Sequence, residues 1–295
     1  MRAFGSRPII AIISMRHECY DCHIRTVSTL IDKFQPDLST AEGFEREIRE
    51  LLDRNPDAET PYLATLLHRR AKEVMKVENL YEEEKHQATD LLLSRYGYWK
   101  EMVESREDSF RTAAMLAVTG NIIDYGAHST PKDIDAVIHE LLGHSLARDD
   151  TEELKRSVGN ARSILYLGDN AGEVVFDRLF IETMGHPGVI YVVRGAPVIN
   201  DVTMEDADRA GMHRACRVID NGYDAPSTLL PYCSEEVKDA FHEADLVISK
   251  GQGNFEGLMH EKRPNLFFLL MAKCDPMANL LGVQKGDLVI TKSNL

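Results

Sequence analysis

The sequence predicts an α/β protein: a C-terminal three-layer α/β/α domain built on a mostly parallel sheet, plus an N-terminal helical domain. Two observations carry this. From Ala161 onward, short β-rich runs at 164–167, 189–193, 217–219, 246–248, 266–270 and 288–290 alternate with amphipathic stretches. Alternating strands and helices argue for parallel pairing with helices covering the sheet. Between Thr40 and Gly159 the apolar residues recur instead at helical spacing, so the helical half is expected to end at 159 and the α/β domain to occupy 160–295.

In the helical half, Phe44, Ile48, Leu51 and Leu52 form one apolar face, and Leu63, Leu66, Leu67 and Val74 another. Thr130-Pro131-Lys132-Asp133 reads as a helix start, with proline at the first helical position and an acid completing the cap. The helix it opens turns Ile134, Val137, Ile138, Leu141 and Leu142 inward, and Gly143 weakens its end. The acidic run Glu82-Glu83-Glu84 reads as a solvated helix face.

Composition narrows the function classes. The 295 residues carry a net charge of −14, which disfavours nucleic acid or an anionic membrane as a partner. No apolar run approaches the roughly 20 residues that span a bilayer. The run Pro8 to Ile13 after Arg2 is too short for a signal-peptide core and lacks a cleavage site. Five cysteines, an odd number, argue against a secreted disulfide framework. These features together read as a cytoplasmic protein.

Polar groups collect where the strands end. Asp169 and Asn170 follow the first strand, Arg194 to Asp201 the second, Asp220 and Asn221 the third, and Lys250 the fourth. In a parallel sheet these ends share one edge, where open α/β folds bind ligands. Asp and Asn oxygens suit hard divalent metals. A single aspartate after a strand is more often a turn residue or a cap, so the weight lies on the convergence. After Lys250, Gly251 and Gly253 let the backbone turn tightly and approach a ligand, so its amides can cradle phosphate oxygens while Lys250 supplies a point charge. Neither a Walker sequence nor Gly-x-Gly-x-x-Gly is present, which counts against nucleoside triphosphates and dinucleotides.

Three segments together resemble the damage-control phosphatases: Leu167-Gly168-Asp169-Asn170-Ala171-Gly172-Glu173, Arg194-Gly195 through Asn200-Asp201-Val202-Thr203, and Lys250-Gly251-Gln252-Gly253-Asn254-Phe255-Glu256. Gly120-Asn121-Ile122-Ile123-Asp124 and Cys19-Tyr20-Asp21-Cys22 add to the likeness, the latter pointing to the cysteine-bearing, mainly prokaryotic branch. The resemblance implies a divalent metal (cobalt, nickel, manganese or magnesium) held by Asp169, Asn170 and Asp201. It implies that Lys250 and the turn Gly251, Gly253 and Asn254 grip a phosphate, and that small phosphorylated metabolites are hydrolysed. Asn121 and Asp124 are candidates for the pocket wall, with helix-end capping as the alternative, and Glu173 for structural support. Because members of the family usually begin near Met15, residues 1–14 are expected to be an extension and 15–159 the helical domain proper.

Other readings compete. Cys19 and Cys22, with Cys274, have spacing compatible with a second metal or redox site, although one Cys-x-x-Cys pair is half a zinc site. His139 and His144 imitate a zinc-protease helix but stand five apart, on different faces. The fold also resembles that of S-adenosylmethionine-dependent carboxyl methyltransferases, yet the first strand turn lacks their glycine-rich loop. A non-enzymatic metal- or metabolite-binding protein is the third reading.

Overall fold

The computed structural model describes residues 9–120 and 134–293. Asn121, Asp124 and the cap Thr130–Asp133 lie outside them. The chain divides into two compact units with the border between Glu78 and Asn79, well before the border expected at 159.

The first unit holds helices α1 (Ile9–Phe34), α2 (Leu38–Arg54) and α3 (Thr60–Met75). Residues 9–14, expected as part of an extension, thus belong to α1. Asp37 starts α2 by accepting from Thr40 N at 3.0 Å, and Pro61 opens α3 where its missing N–H costs nothing. Val27, Leu30, Phe44, Ile48, Leu52 and Leu67 are buried, so the faces read from spacing are the packed ones. Two histidines are buried with them. His68 donates through Nδ1 to Ala64 O at 2.7 Å, and burial lowers the pKa of both His23 and His68 to about 4.

The second unit begins with α4 (Glu82–Ser94), α5 (Tyr96–Glu104), α6 (Ser109–Thr119) and α7 (Ile134–Leu142). The helical pattern here belongs to layers over the sheet. Helix α6 buries Phe110 and every residue from Ala113 to Thr119, against α9 (Val174–Met184) and β6 (Leu266–Met271). A helix apolar on all sides has to be covered on all sides, and the sheet together with α5, α7 and α9 supplies that cover.

The remaining elements are β1 (Arg148–Asp149), α8 (Thr151–Asn160), β2 (Ile164–Leu167), β3 (Val189–Val193), α10 (Met204–Arg209), β4 (Arg217–Asp220), α11 (Glu235–Glu243), β5 (Leu246–Lys250), α12 (Gly251–Leu258), α13 (Asp275–Leu281) and β7 (Leu288–Lys292). Seven strands form one sheet in the order β1-β7-β6-β5-β2-β3-β4. All neighbours are parallel except β6 and β7. Strands β2, β5 and β6 are buried along their whole length, the mark of a sheet covered on both faces.

The topology matters for the site. From β2 the chain winds outward through β3 to β4, then returns to place β5 on the other side of β2. Strand order therefore reverses between β2 and β5, and such a switch point opens a crevice beyond the strand C-termini. Asp169 and Asn170 follow β2, and β5 ends on Lys250. No helix of the described residues is long and apolar enough to cross a membrane.

Candidate active site

Asp169, Asn170 and Asp201 are brought together by backbone pairing. Asn170 and Asp201 form an antiparallel bridge; Val202 N donates to Asp169 O at 2.7 Å and Ala171 N to Asn200 O at 2.9 Å. The turn after β2 is thereby stitched to the loop after β3. All three residues are buried, at 6%, 4% and 3% exposure. Asn170 Nδ2 donates to Asp169 Oδ2 at 3.0 Å and to Glu173 Oε2 at 3.2 Å. Its amide hydrogens are thus spent on carboxylates, which fixes the amide and leaves its oxygen as an acceptor. Three converging oxygen donors, two of them carboxylates, fit a hard divalent cation.

Beside them lies Arg194, 1% exposed. It donates through Nε to Asp201 Oδ2 at 2.7 Å, through Nη2 to Asn254 Oδ1 at 3.1 Å, and its Nη2 is 3.8 Å from Asp169 Oδ1. Burial pushes the Asp201 carboxyl up to about 7; the Arg194 charge opposes that rise and the Asp169 charge adds to it.

Lys250 and Asn254 are placed differently from expectation. The Lys250 ammonium, expected on the substrate phosphate, is wholly buried below the turn. It donates to Glu173 Oε1, to Asp177 Oδ1 at 2.5 Å and to Ala117 O at 2.8 Å. Two buried carboxylates demand a counter-charge, and Lys250 is the one within reach. Burial works against its charge, but Asp177 and Glu173 outweigh that and hold its pKa above the ordinary lysine value. Tyr166 and Tyr191 complete the network by donating to Asp177 at 2.7 and 2.9 Å, their own phenols pushed well up by burial and by the neighbouring carboxylate. Asn254 is wholly buried too. Its oxygen accepts from Thr228 N, Thr228 Oγ1 and Arg194, and its nitrogen donates to Gly168 O and Lys250 O. It ties β2, β5 and Arg194 together, and the amide has no hydrogen to offer a substrate.

Gly251 adopts φ +75, and a Cβ there would overlap the Asp169 carboxylate. At Gly253 a Cβ would run into Pro226 O. The glycines after β5 thus let the start of α12 lie directly against the acidic turn.

A family model for the damage-control phosphatase ARMT1-like domain matches residues 15–289. The chain belongs to this family. A damage-control phosphatase of Archaeoglobus fulgidus is 35% identical over 234 residues, covering 77% of this chain and 81% of the relative. An uncharacterized protein of Methanocaldococcus jannaschii is 32% identical over 292 residues, covering 95% and 96%. Among solved structures, the crystal structure of a DUF89 family protein from Pyrococcus horikoshii matches with TM-score 0.85 and 30% identity, covering 94% of this chain and 98% of that one.

Within this damage-control phosphatase fold, two of the remaining sequence candidates, Asp220 and Asn221, hold turns. Asp220 Oδ1 accepts from Gly222 N at 2.9 Å, and Asn221 Oδ1 from Gly195 N and Tyr223 N, both at 3.0 Å. They are turn residues. Cys19 and Cys22 stand on α1 in the first unit; Cys274, in the second, precedes α13 and accepts from Gln252 Nε2 at 3.5 Å. None of the five cysteines is in a disulfide. His139, exposed, pairs with Tyr98 Oη at 2.6 Å. Among the described residues, one group of three His, Cys, Asp or Glu side chains has its ligand atoms within 4.8 Å of one another: Glu82, His86 and Glu205, on the surface of α4 and α10.

Sequence reasoning passed over Arg194 and Asp177 as site residues. Arg194 was visible as the first residue after the second strand, in a family motif. Asp177 sits in the first turn of α9, among apolar residues, where a buried acid has to find a partner.

Proposed function

We propose that this chain is a metal-dependent phosphatase that hydrolyses small phosphorylated metabolites, with Asp169, Asn170 and Asp201 as metal ligands. The observation that carries this is the convergence of those three oxygen donors at the β2/β5 switch point, on the edge where α/β sheets bind ligands. Family membership supports the reaction class, as does the name of the Archaeoglobus relative.

Each residue then has a task. A bound divalent ion supplies Lewis-acid polarisation of the phosphoryl group. Asp169 and Asp201 hold that ion by charge, and Asn170 orients its oxygen because Asp169 and Glu173 hold its nitrogen. Arg194 keeps the two carboxylates aligned before the ion arrives. The first-turn amides of α12, at Gly251 to Gly253, would offer donors to the phosphate, since a helix N-terminus favours an anion. Lys250 acts below the site by balancing Glu173 and Asp177. A chain with net charge −14 repels polyanions at long range, which fits a small substrate drawn into a local pocket.

The test is a screen of sugar phosphates and other phosphometabolites against cobalt, nickel, manganese and magnesium. Phosphate release that requires a metal, and that disappears in Asp169→Ala with the thermal midpoint retained, is the expected result. Full activity in Asp169→Ala, or no release with any pairing, overturns the reading.

A further inference from the structure

Helix α4 contributes two side chains to the turns that bear the proposed ligands. Thr89 donates through Oγ1 to Ala171 O, the residue after Asn170, at 3.2 Å. One turn earlier on the same helix is Lys85, a lysine only 2% exposed. Its Nζ lies 2.6 Å from Asp206 Oδ2, and Asp206 is itself 2% exposed. The same carboxylate oxygen accepts from Thr203 N at 2.8 Å and Thr203 Oγ1 at 2.6 Å, closing a capping box at the start of α10. Thr203 comes two residues after Asp201, and Val202 between them is bonded to Asp169. A continuous path therefore runs from the Lys85 ammonium through Asp206 and Thr203 to the segment that carries Asp201.

Stability alone does not account for this pair. Two charges taken out of water pay a desolvation penalty that their attraction roughly repays, and apolar residues of similar volume serve as well or better. What an ion pair adds is geometry: the ammonium holds one carboxylate oxygen in one place, and that oxygen holds both polar hydrogens of Thr203. Without the ammonium, Asp206 is a buried anion that loses the cation in contact with it and keeps the two hydrogen bonds from Thr203. That loss of restraint loosens the capping box next to Asp201.

We propose that Lys85 is a positioning residue: through its ion pair with Asp206 it fixes the 201–203 turn and so sets the site's affinity for a divalent metal that it does not touch. This rests on the reading of Asp169, Asn170 and Asp201 as the metal ligands.

The experiment is a calorimetric titration of the full-length protein with manganese(II) chloride, with circular dichroism and the thermal midpoint recorded for each variant. Lys85→Met is expected to stay folded and to raise the manganese dissociation constant about tenfold or more, the size of effect that supporting hydrogen bonds have at metal sites. Leu92→Ala, at a fully buried position of the same helix, is expected to lower the midpoint and leave the constant unchanged. If Leu92→Ala weakens binding as much as Lys85→Met, the role is merely structural and the inference falls. If Lys85→Met does not fold, the double variant Lys85→Met/Asp206→Asn, which lacks the ion pair and buries no unpaired charge, carries the same titration and the same expectation. Wild-type binding with an unchanged constant in the folded Lys85 variant overturns this inference alone. A wild-type protein that binds no manganese removes the metal-site reading and the inference with it.

Discussion

Arg194 donates through Nε to Asp201 Oδ2 at 2.7 Å, and neither residue is more than 3% exposed. The guanidinium spans further to Asn254 and lies beside Asp169, so one planar group braces three elements. Its geometry therefore matters as much as its charge.

Arg194→Lys is expected to lower the thermal midpoint and to reduce metal-dependent phosphate release by at least about tenfold, because a point ammonium cannot reproduce the fork. Arg194→Met should cost more, on the order of 3–5 kcal/mol, by leaving buried carboxylates unpaired. Thermal unfolding together with a phosphate-release assay checks both, and a wild-type profile for Arg194→Lys would show that charge alone suffices.

Gly251 carries a steric constraint of a different kind. Its φ of +75 costs a side chain about 1–2 kcal/mol, and the added methyl would overlap the Asp169 carboxylate. Gly251→Ala is expected to displace Asp169 and remove activity at a modest loss of midpoint, whereas Gly282→Ala, also at positive φ but with no atom near, should lower the midpoint and keep the activity. Equal activity in the two variants would contradict this.

Lys250 is held by Glu173, Asp177 and a backbone carbonyl. Lys250→Met leaves two buried acids without a cation, and a loss of about 3–5 kcal/mol is expected. The penalty should shrink in Lys250→Met/Asp177→Asn, since one carboxylate is then gone. Chemical denaturation of the single and double variants measures the coupling; simple additivity of the two substitutions would argue against the pair.

The first unit should be acid-sensitive. His23 and His68 have pKa values near 4 in the fold, lowered by burial from 6.5. Between those values the unfolded chain binds more protons, so stability is present above about pH 6.5 and is lost as pH falls toward 4. Each histidine contributes on the order of 3 kcal/mol across that window. The thermal midpoint of His68→Gln, whose amide can still donate to Ala64 O, should fall less between pH 7 and pH 4.5 than that of the wild type. Parallel curves would show that the buried imidazole is not the sensor.

Much of the fold was legible because of what burial on two faces requires. Strands such as Ile164–Leu167 and Val189–Val193 are continuous apolar runs, and the polar residues that end them mark the ligand edge. The strand Arg148–Asp149 was not legible: its two residues are polar and, at the edge of the sheet, pair only with β7, so no hydrophobic pattern betrays it. The helices from 82 to 119 carried the right period but not their destination, since periodicity reports a buried face and not what covers it.

The site divides in the same way. By itself the sequence determined which residues stand at the strand ends, Asp169 and Asn170 among them, because chain position after a parallel strand is a local property; Asp201, further along its loop, is set against Asn170 by the tertiary pairing. Only the tertiary structure decided what each charge answers to. Lys250 reads as a cation at a ligand edge and is spent on Glu173 and Asp177; Lys85 reads as one more charge on a helix and is buried against Asp206. A buried charge is defined by its partner, and partners 73 to 121 residues away meet only when the sheet brings them together.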